Sequence, residues 1–213
     1  MFDEVVLLLQ RGAQLEDLSR LLNLAAGATS VELVELILDA GAQINHEYTI
    51  DEKSGFLAID GRDLDEIVDE VNLVTIEFCP ALMVAAMKGE VDVIRLLLSR
   101  GANIFQTDNN GEGLLHYAAR GKNIKVVEHL ISCGLDVNLQ KKNSNEIPAH
   151  LCLKDHELLK LFLDNGADPN MEDKWEGTLL DRAYICRASD KTVELLKNYG
   201  AKKTKDWIED DRA

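Results

Sequence analysis

Cysteine side chains are the first candidates for chemistry in this 213-residue chain, because thiolates ligate zinc and act as nucleophiles. The four cysteines, Cys79, Cys133, Cys152 and Cys186, are separated by 54, 19 and 34 residues. This spacing contains no CxxC pair and no compact disulfide framework. We therefore expect reduced, mostly buried thiols in a cytoplasmic protein, with no metal site and no cofactor.

Catalytic motifs are the second place to look. The sequence contains no GxSxG nucleophile turn, no phosphate-binding glycine loop and no HExxH pair. Asp155, His156 and Glu157 place a histidine between two acids, but we interpret them as the solvated start of a short helix. The sequence therefore predicts no enzyme activity and identifies no catalytic residue.

The charge balance limits the class of partner. Asp and Glu number 38 against 23 Lys and Arg, which gives a formal net charge of −15. Repulsion from phosphates argues against nucleic acid and against an anionic membrane surface. No stretch approaches the ~18 apolar residues of a membrane span. Any electrostatic steering by the chain favours a partner with a basic surface, and we expect the chain to be a monomer.

The elements that must position any binding residues recur along the chain. A glycine follows an apolar helical segment at six positions: Gly12, Gly41, Gly101, Gly134, Gly166 and Gly200. The intervals are 29, 60, 33, 32 and 34 residues, and the 60 corresponds to one period plus an insertion. Glycine suits the left-handed residue that ends many helices.

A shorter helical segment precedes each of these long segments. In three repeats it ends in an Ala pair whose second residue, Ala26, Ala86 or Ala119, lies 15 residues before the glycine. One such pair of helices cannot bury its own apolar face, whereas stacked copies can. The sequence therefore predicts stacked helix pairs with Ala residues at their contacts, Ala118 among them.

These units resemble ankyrin repeats. The clearest one is DNNGEGLLHYAARGKNIKVVEHLISCGLDVN at 108–138, with a TPLHxAA-like helix opening and an LLxxGADxN-like close. The resemblance implies an all-α solenoid of stacked helix pairs with β-hairpin loops. It also implies a structural role for His116 and His150, bonding backbone in the neighbouring loop. Asp181 replaces the usual His in the last repeat.

The resemblance implies a single ankyrin-repeat domain over residues 1–213. Its predicted parts are an N-terminal half-repeat cap at 1–18, a repeat at 19–45, an acidic insertion at 46–78, repeats at 79–105, 106–138, 139–170 and 171–203, and a C-terminal tail at 204–213.

The insertion is the part that the resemblance does not cover. It contains ten Asp and Glu against Lys53 and Arg62. Its residues EYTI and FLAI flank DEKSG and predict a hairpin, and residues 63–71 predict a helix. It is either a solvated loop or a recognition element for a basic partner, in which case the candidate residues are Asp65, Glu66, Asp69 and Glu70. The DGRDLDE stretch lacks the ligand order of a calcium loop.

The resemblance also implies a binding face, formed by the hairpin tips and the exposed positions of the first helices. The corresponding residues are Met87, Lys88, Asn109, Asn110, Glu112, Arg120, Asn143, Ser144, Lys174 and Trp175. Trp175 has two interpretations: it anchors a partner, as exposed Trp residues often do, or it packs on the neighbouring hairpin.

A non-enzymatic, protein-binding scaffold or adaptor is the function that this resemblance implies. Three alternatives stay open: a stoichiometric inhibitor or immunity-type protein for a basic enzyme, a secreted bacterial effector, and an enzyme with a site between the insertion and the concave face.

Overall fold

The computed structural model describes residue 6 and the ranges 15–28, 30–45 and 80–204. Most of the predicted cap at 1–18, the insertion at 46–78 and the tail from 205 lie outside the described residues, as do Asp65, Glu66, Asp69 and Glu70. The described ranges contain helices and no strand, so the predicted all-α fold is confirmed.

The chain divides into two compact units, Met1–Ile104 and Phe105–Ala213. The predicted boundaries of the individual repeats stay predictions. The described helices of the first unit are α1 (Leu15–Gly27), α2 (Val31–Asp39), α3 (Ala81–Lys88) and α4 (Val91–Ser99). Those of the second are α5 (Leu114–Gly121), α6 (Ile124–Ser132), the 3-10 helix η1 (Pro148–Cys152), α7 (His156–Asp164), α8 (Leu179–Ile185) and α9 (Asp190–Asn198).

Within each unit, first helices pack on first helices and second helices on second helices. In the first unit α1 packs on α3, and α2 packs on α4. In the second, η1 lies between α5 and α8, and α7 lies between α6 and α9. Ala26, Ala86 and Ala118 are all fully buried, as predicted, and their small side chains let neighbouring helices approach closely.

The long second helices start and stop by local signals. Ser30, Asn123, Asp155 and Ser189 cap four of them, each with a side-chain oxygen that accepts a bond from the backbone N–H three residues on. Gly101, Gly134 and Gly166 follow helix ends with φ values of 93°, 85° and 89°, which confirms the prediction of a left-handed stop.

A row of asparagines joins consecutive repeats. Asn138 Nδ2 donates to the carbonyl oxygen of Gly166 at 3.0 Å, and its Oδ1 accepts from the N–H of Asp168 at 2.9 Å. Asn170 makes the same pair of bonds to Gly200 at 3.2 Å and Lys202 at 2.8 Å. Each side chain therefore fixes the glycine stop of the next repeat.

The first helix of the 139–170 repeat differs from expectation. The apolar segment at 148–153 forms the 3-10 helix η1 rather than an α-helix. This repeat is two residues short between its helices, since His150 precedes Gly166 by 16 residues and His116 precedes Gly134 by 18, and a 3-10 helix rises ~2.0 Å per residue against ~1.5 Å in an α-helix. Fewer residues therefore span the same distance, with Pro148 at the first position.

The thiols are less uniform than the sequence predicts. Cys152 is buried, Cys186 is half-buried and Cys133 is exposed, while Cys79 lies outside the described residues. Cys133 is exposed because it follows the last turn of α6, where the helix ends. No helix within the described residues combines the length and apolarity that crossing a membrane requires.

Candidate protein-binding surface

Three tight turns precede the first helices of the second unit, at 108–112, 141–146 and 173–177. Each is closed by a backbone bond of 3.0 Å, from Asp108 to Glu112, from Lys141 to Glu146 and from Asp173 to Gly177. In the first turn Asp108 Oδ1 also accepts from the N–H groups of Asn110 and Glu112, at 2.9 and 2.7 Å. Asp favours such turns because its short carboxylate reaches the backbone two residues on.

The three turns are bonded to one another in sequence order. The N–H of Lys142 donates to the carbonyl of Asn110 at 2.8 Å, and the N–H of Lys174 donates to the carbonyl of Ser144 at 2.9 Å. Asn143 Nδ2 adds a bond to Asn110 Oδ1 at 2.8 Å. The turns therefore form one hydrogen-bonded edge, whose residues Asn109, Asn110, Asn143, Ser144, Lys174 and Trp175 we call the tip surface.

Glu112 was expected among the exposed contact residues, but it is 93% buried. Its carboxylate pairs with Lys141 Nζ at 2.9 Å and with Arg120 Nη2 at 2.7 Å. Burial raises the pKa of Glu112, but the bonds from these two cations outweigh it and hold that pKa below its usual value. Glu112 therefore stabilises the turn through its buried ion pairs and is not available to contact a partner.

The other predicted contact residues are more accessible. Lys88, Asn109, Asn110, Arg120, Asn143, Lys174 and Trp175 are exposed, and Met87 and Ser144 are half-buried. Met87 and Lys88 belong to the first unit, so the tip surface is built without them. Sequence reasoning missed Lys141, Asp173 and Arg182, which support the turns. The turn role of Asp173 could have been predicted from the sequence, because Asp108 occupies the same position in the first turn.

His116 and His150 have structural positions at the base of the turns. His116 Nδ1 accepts from the N–H of Gly113 at 3.2 Å, and its Nε2 lies 3.2 Å from the carbonyl of Glu146, to which it donates. Burial lowers the pKa of His116. The predicted bond to the neighbouring loop is thus confirmed for His116.

His150 makes only half of this arrangement. Its Nδ1 accepts from the N–H of Ile147 at 3.2 Å, while its Nε2 is buried without a partner among the described residues. Burial lowers the pKa of His150 to about 4. Both histidines are therefore neutral near pH 7, with the proton on Nε2.

Asp181 occupies the histidine position in the last repeat. It also bonds the backbone before its helix and the loop that follows the repeat, but only as a hydrogen-bond acceptor. Its Oδ2 accepts from the N–H of Thr178 at 3.0 Å and from the N–H of Thr204 at 3.1 Å. Burial raises the pKa of Asp181, but these bonds outweigh it and lower that pKa. Asp181 thus bonds an N–H group of the loop that follows its repeat, whereas His116 bonds a carbonyl of the loop that follows its own.

The third turn carries an aromatic ring that contacts two cations. Trp175 is 51% exposed. Lys174 Nζ and the guanidinium carbon of Arg182 each lie 4.5 Å from its ring centroid. Arg182 Nε also pairs with the buried carboxylate of Asp173, and Asp173 Oδ1 accepts from the N–H of Trp175 at 2.8 Å. These contacts fix the backbone of the turn and hold the indole at its tip.

The described residues offer little for catalysis. They contain no group of three or more His, Cys, Asp or Glu that could hold a metal ion. Burial raises the pKa of the Cys152 thiol, which makes it a poor nucleophile near neutral pH. The arrangement is instead suited to binding, because the tip surface presents amides, a lysine and an indole on a rigid edge.

Comparison with known proteins points to one family. A family model described as "Ankyrin repeats (3 copies)" matches residues 56–141 and 115–206. The human transient receptor potential cation channel subfamily A member 1 is 31% identical over 118 residues, which are 54% of this chain and 10% of the channel. A putative ankyrin repeat-containing protein of Treponema pallidum is 33% identical over 97 residues, 45% of this chain and 33% of that protein.

A third similar protein comes from a virus. The putative ankyrin repeat protein L271 of Acanthamoeba polyphaga mimivirus is 37% identical over 75 residues, 34% of this chain and 10% of that protein. The chain therefore spans between a tenth and a third of the length of these curated relatives.

Proposed function

The chain belongs to the ankyrin-repeat family, and from this premise we propose that it is a non-enzymatic scaffold that binds another protein through its tip surface. Ankyrin repeats are generally protein-interaction scaffolds. The observation that carries the proposal is the hydrogen-bonded edge, in which Asn110 is bonded to Lys142 and Ser144 is bonded to Lys174. An edge ordered before binding loses little conformational entropy when a partner docks.

Trp175 is the proposed anchor of this surface. It packs on cationic side chains of its own repeat, yet half of it is open to a partner. Burying a large, rigid ring at the centre of an interface contributes strongly to affinity. Asn109, Asn110 and Asn143 are exposed on the same edge and supply amide donors and acceptors around it. Arg120 is exposed too and belongs to the proposed contact area.

The acidic insertion is a second, independent part of the proposal. Its ten acids against two bases favour a partner, or a part of one, with a basic surface. The same charge favours a second candidate function, the inhibition of a basic enzyme. We propose that either function is exercised by a monomer in the cytoplasm, without nucleic acid or membrane as the partner.

Site-directed cross-linking tests the scaffold function. A photoreactive amino acid at Asn110 or Asn143 should capture a protein in a lysate of the source cells, and adding Trp175→Ala should abolish the capture. The same amino acid at Lys125, an exposed position on α6, is the matched control and should capture nothing that depends on Trp175. Equal capture from all three positions, or capture unchanged by Trp175→Ala, contradicts the proposal.

A further inference from the structure

The third turn of the tip surface is held in place differently from the first two. Each of the first two turns accepts, at the carbonyl of Asn110 or Ser144, a hydrogen bond from the backbone N–H of the turn that follows it. Within the described residues no further turn of this kind follows the third one, at 173–177. The residues that bond this turn from the C-terminal side belong to a short segment at 202–204.

This terminal segment is docked on the last repeat by its backbone. The N–H of Lys202 donates to Asn170 Oδ1 at 2.8 Å, and its carbonyl accepts from Thr178 Oγ1 at 2.7 Å. The N–H of Thr204 donates to Asp181 Oδ2 at 3.1 Å. Asp181 is fully buried, and hydrogen bonds to a charged acceptor are stronger than neutral ones. The position of residue 204 is therefore fixed relative to α8.

The Thr204 side chain then reaches the third turn itself. Its Oγ1 lies 2.7 Å from the carbonyl oxygen of Glu176 and 2.8 Å from Asp181 Oδ2, so one hydroxyl proton is shared between two acceptors. Glu176 directly follows Trp175 in the chain. The hydroxyl of Thr204 therefore links the docked segment to the backbone beside the indole.

Glu176 has a backbone conformation that requires such support. Its φ is 60°, in the left-handed region, whereas the first turn has Gly111 at the same place, with a φ of 78°. The second turn has Asn145 there, with a φ of 53°, and Asn tolerates this region better than Glu does. Such a conformation persists where the surrounding bonds determine it. The bond from Thr204 to the carbonyl of Glu176 is one of these bonds.

The backbone of Trp175 is thus attached on both sides. On its N-terminal side the N–H of Trp175 donates to Asp173 Oδ1 at 2.8 Å. Asp173 is buried and pairs with Arg182, so this attachment does not depend on the terminal segment. On the C-terminal side the carbonyl of Glu176 is bonded to Thr204. Loss of one hydroxyl therefore weakens the attachment on this side alone.

We infer that residues 202–204 clamp the third turn and that Thr204 is a positioning residue for Trp175, acting through the carbonyl of Glu176. The inference rests on the proposed function, since it identifies what holds the proposed anchor ready for a partner. It goes beyond that function because it makes the tip surface depend on a segment that lies after the last helix, α9. A change confined to this segment then alters the anchor and leaves the helices in place.

Hydrogen exchange of the full-length protein tests the clamp without a partner. Thr204→Val removes the hydroxyl but keeps the shape of the side chain and the N–H bond to Asp181. The amides of residues 174–177 should exchange about tenfold faster, the change expected for the loss of one charge-assisted hydrogen bond. The amides of the first turn, at 108–112, and of α9 should exchange as in the wild type. Thr204→Ser keeps the hydroxyl and should restore wild-type exchange at 174–177.

Fluorescence of Trp175 provides a second measurement. In a Trp207→Phe background Trp175 is the single tryptophan of the chain. Thr204→Val should increase the fast local motion of this indole in time-resolved anisotropy, and Thr204→Ser should not. Ser132→Ala removes a comparable hydroxyl bond, 2.6 Å to the carbonyl of His129 on α6. This variant is the control and should leave the motion of the indole unchanged.

The possible failures are distinguishable. Unchanged exchange at 174–177, or unchanged anisotropy, in Thr204→Val overturns this inference and leaves the proposed function intact. Equally faster exchange throughout α8 and α9 also overturns it, because Thr204 would then stabilise the whole last repeat and not the turn. A loosened turn with undiminished cross-linking from Asn110 supports the clamp and contradicts the proposed function, since capture of the partner would then not require a fixed Trp175.

Discussion

Asn45 binds Gly101 across 56 positions of sequence. Its Nδ2 donates to the glycine carbonyl at 3.1 Å, and its Oδ1 accepts from the N–H of Asn103 at 2.8 Å. Asn138 makes the same two bonds to the repeat that directly follows it. The repeats on either side of the insertion are therefore bonded as consecutive repeats.

The first prediction follows from this bond. Replacing residues 46–78 by a loop of about eight residues should leave the repeats folded, because loop closure entropy changes only logarithmically with length. Circular dichroism should show a similar melting temperature and a helical signal that falls by no more than the loss of the helix predicted at 63–71. Asn45→Ala is the control and should lower the free energy of unfolding by roughly 0.5–1.5 kcal/mol, because its two hydrogen bonds are exposed and water can replace them. Unfolding of the shortened chain would show that the insertion supports the stack.

The second prediction concerns packing between first helices. Ala118 is fully buried on α5, which contacts η1. Ala118→Leu should overpack this contact and destabilise the protein by roughly 1–3 kcal/mol in urea unfolding. Ala28→Leu, at an exposed position after α1, is the matched control and should change stability little. Equal losses of stability for the two substitutions would mean that the contact between α5 and η1 does not limit the size of the side chain at Ala118.

A third prediction distinguishes two reasons for glycine. Gly134 has a φ of 85° and open space where a Cβ would lie, so Gly134→Ala should cost only the left-handed penalty of about 1–2 kcal/mol. Gly111 also has a positive φ, but its Cβ would lie 2.9 Å from the backbone nitrogen of Lys142. Gly111→Ala should therefore destabilise more and displace the bond from Lys142 to Asn110. Thermal melts that rank Gly134→Ala as the more damaging change would contradict this reading of the turn.

A fourth prediction concerns pH. Burial lowers the pKa of His150 to about 4, although the charges of Glu146 and Asp173 act in the opposite direction and Arg182 reinforces the shift. The unfolded chain binds the proton more readily, so this contribution is complete above pH ~6.5 and is lost as the pH falls toward 4; a shift of this size corresponds to about 3 kcal/mol. The free energy of unfolding, measured in urea between pH 7 and pH 4, should fall less steeply with decreasing pH for His150→Gln than for the wild type. The same pH dependence of the free energy of unfolding in both proteins would mean that His150 is not buried in its neutral form.

The sequence predicted the features that depend on a few neighbouring residues. Gly101 and Gly134 ended helices as expected because a left-handed stop is a local requirement of the backbone. Ala118 was recognised from its fixed distance to a glycine. Periodicity of the apolar residues then made the stacked arrangement the consistent solution.

Features that depend on pairing between repeats could not be predicted in the same way. Glu112 looked like an exposed tip residue, but its burial depends on Lys141, which stands where the other two turns have Asp. Asp181 looked like the loss of a structural histidine, but Thr204 supplies an N–H in place of the usual carbonyl. In both cases the partner lies further along the chain, in the next repeat for Glu112 and in the tail for Asp181, and its chemistry departs from the repeat pattern.

The proposed role of the tip surface is tested most directly by the affinity of the cross-linked partner for Trp175→Ala. Isothermal titration calorimetry should show binding weakened by about 2 kcal/mol or more, as expected for a buried aromatic anchor, while the melting temperature stays close to that of the wild type. An unchanged dissociation constant together with a lower melting temperature would contradict the proposal, because Trp175 would then stabilise the last repeat and not a complex.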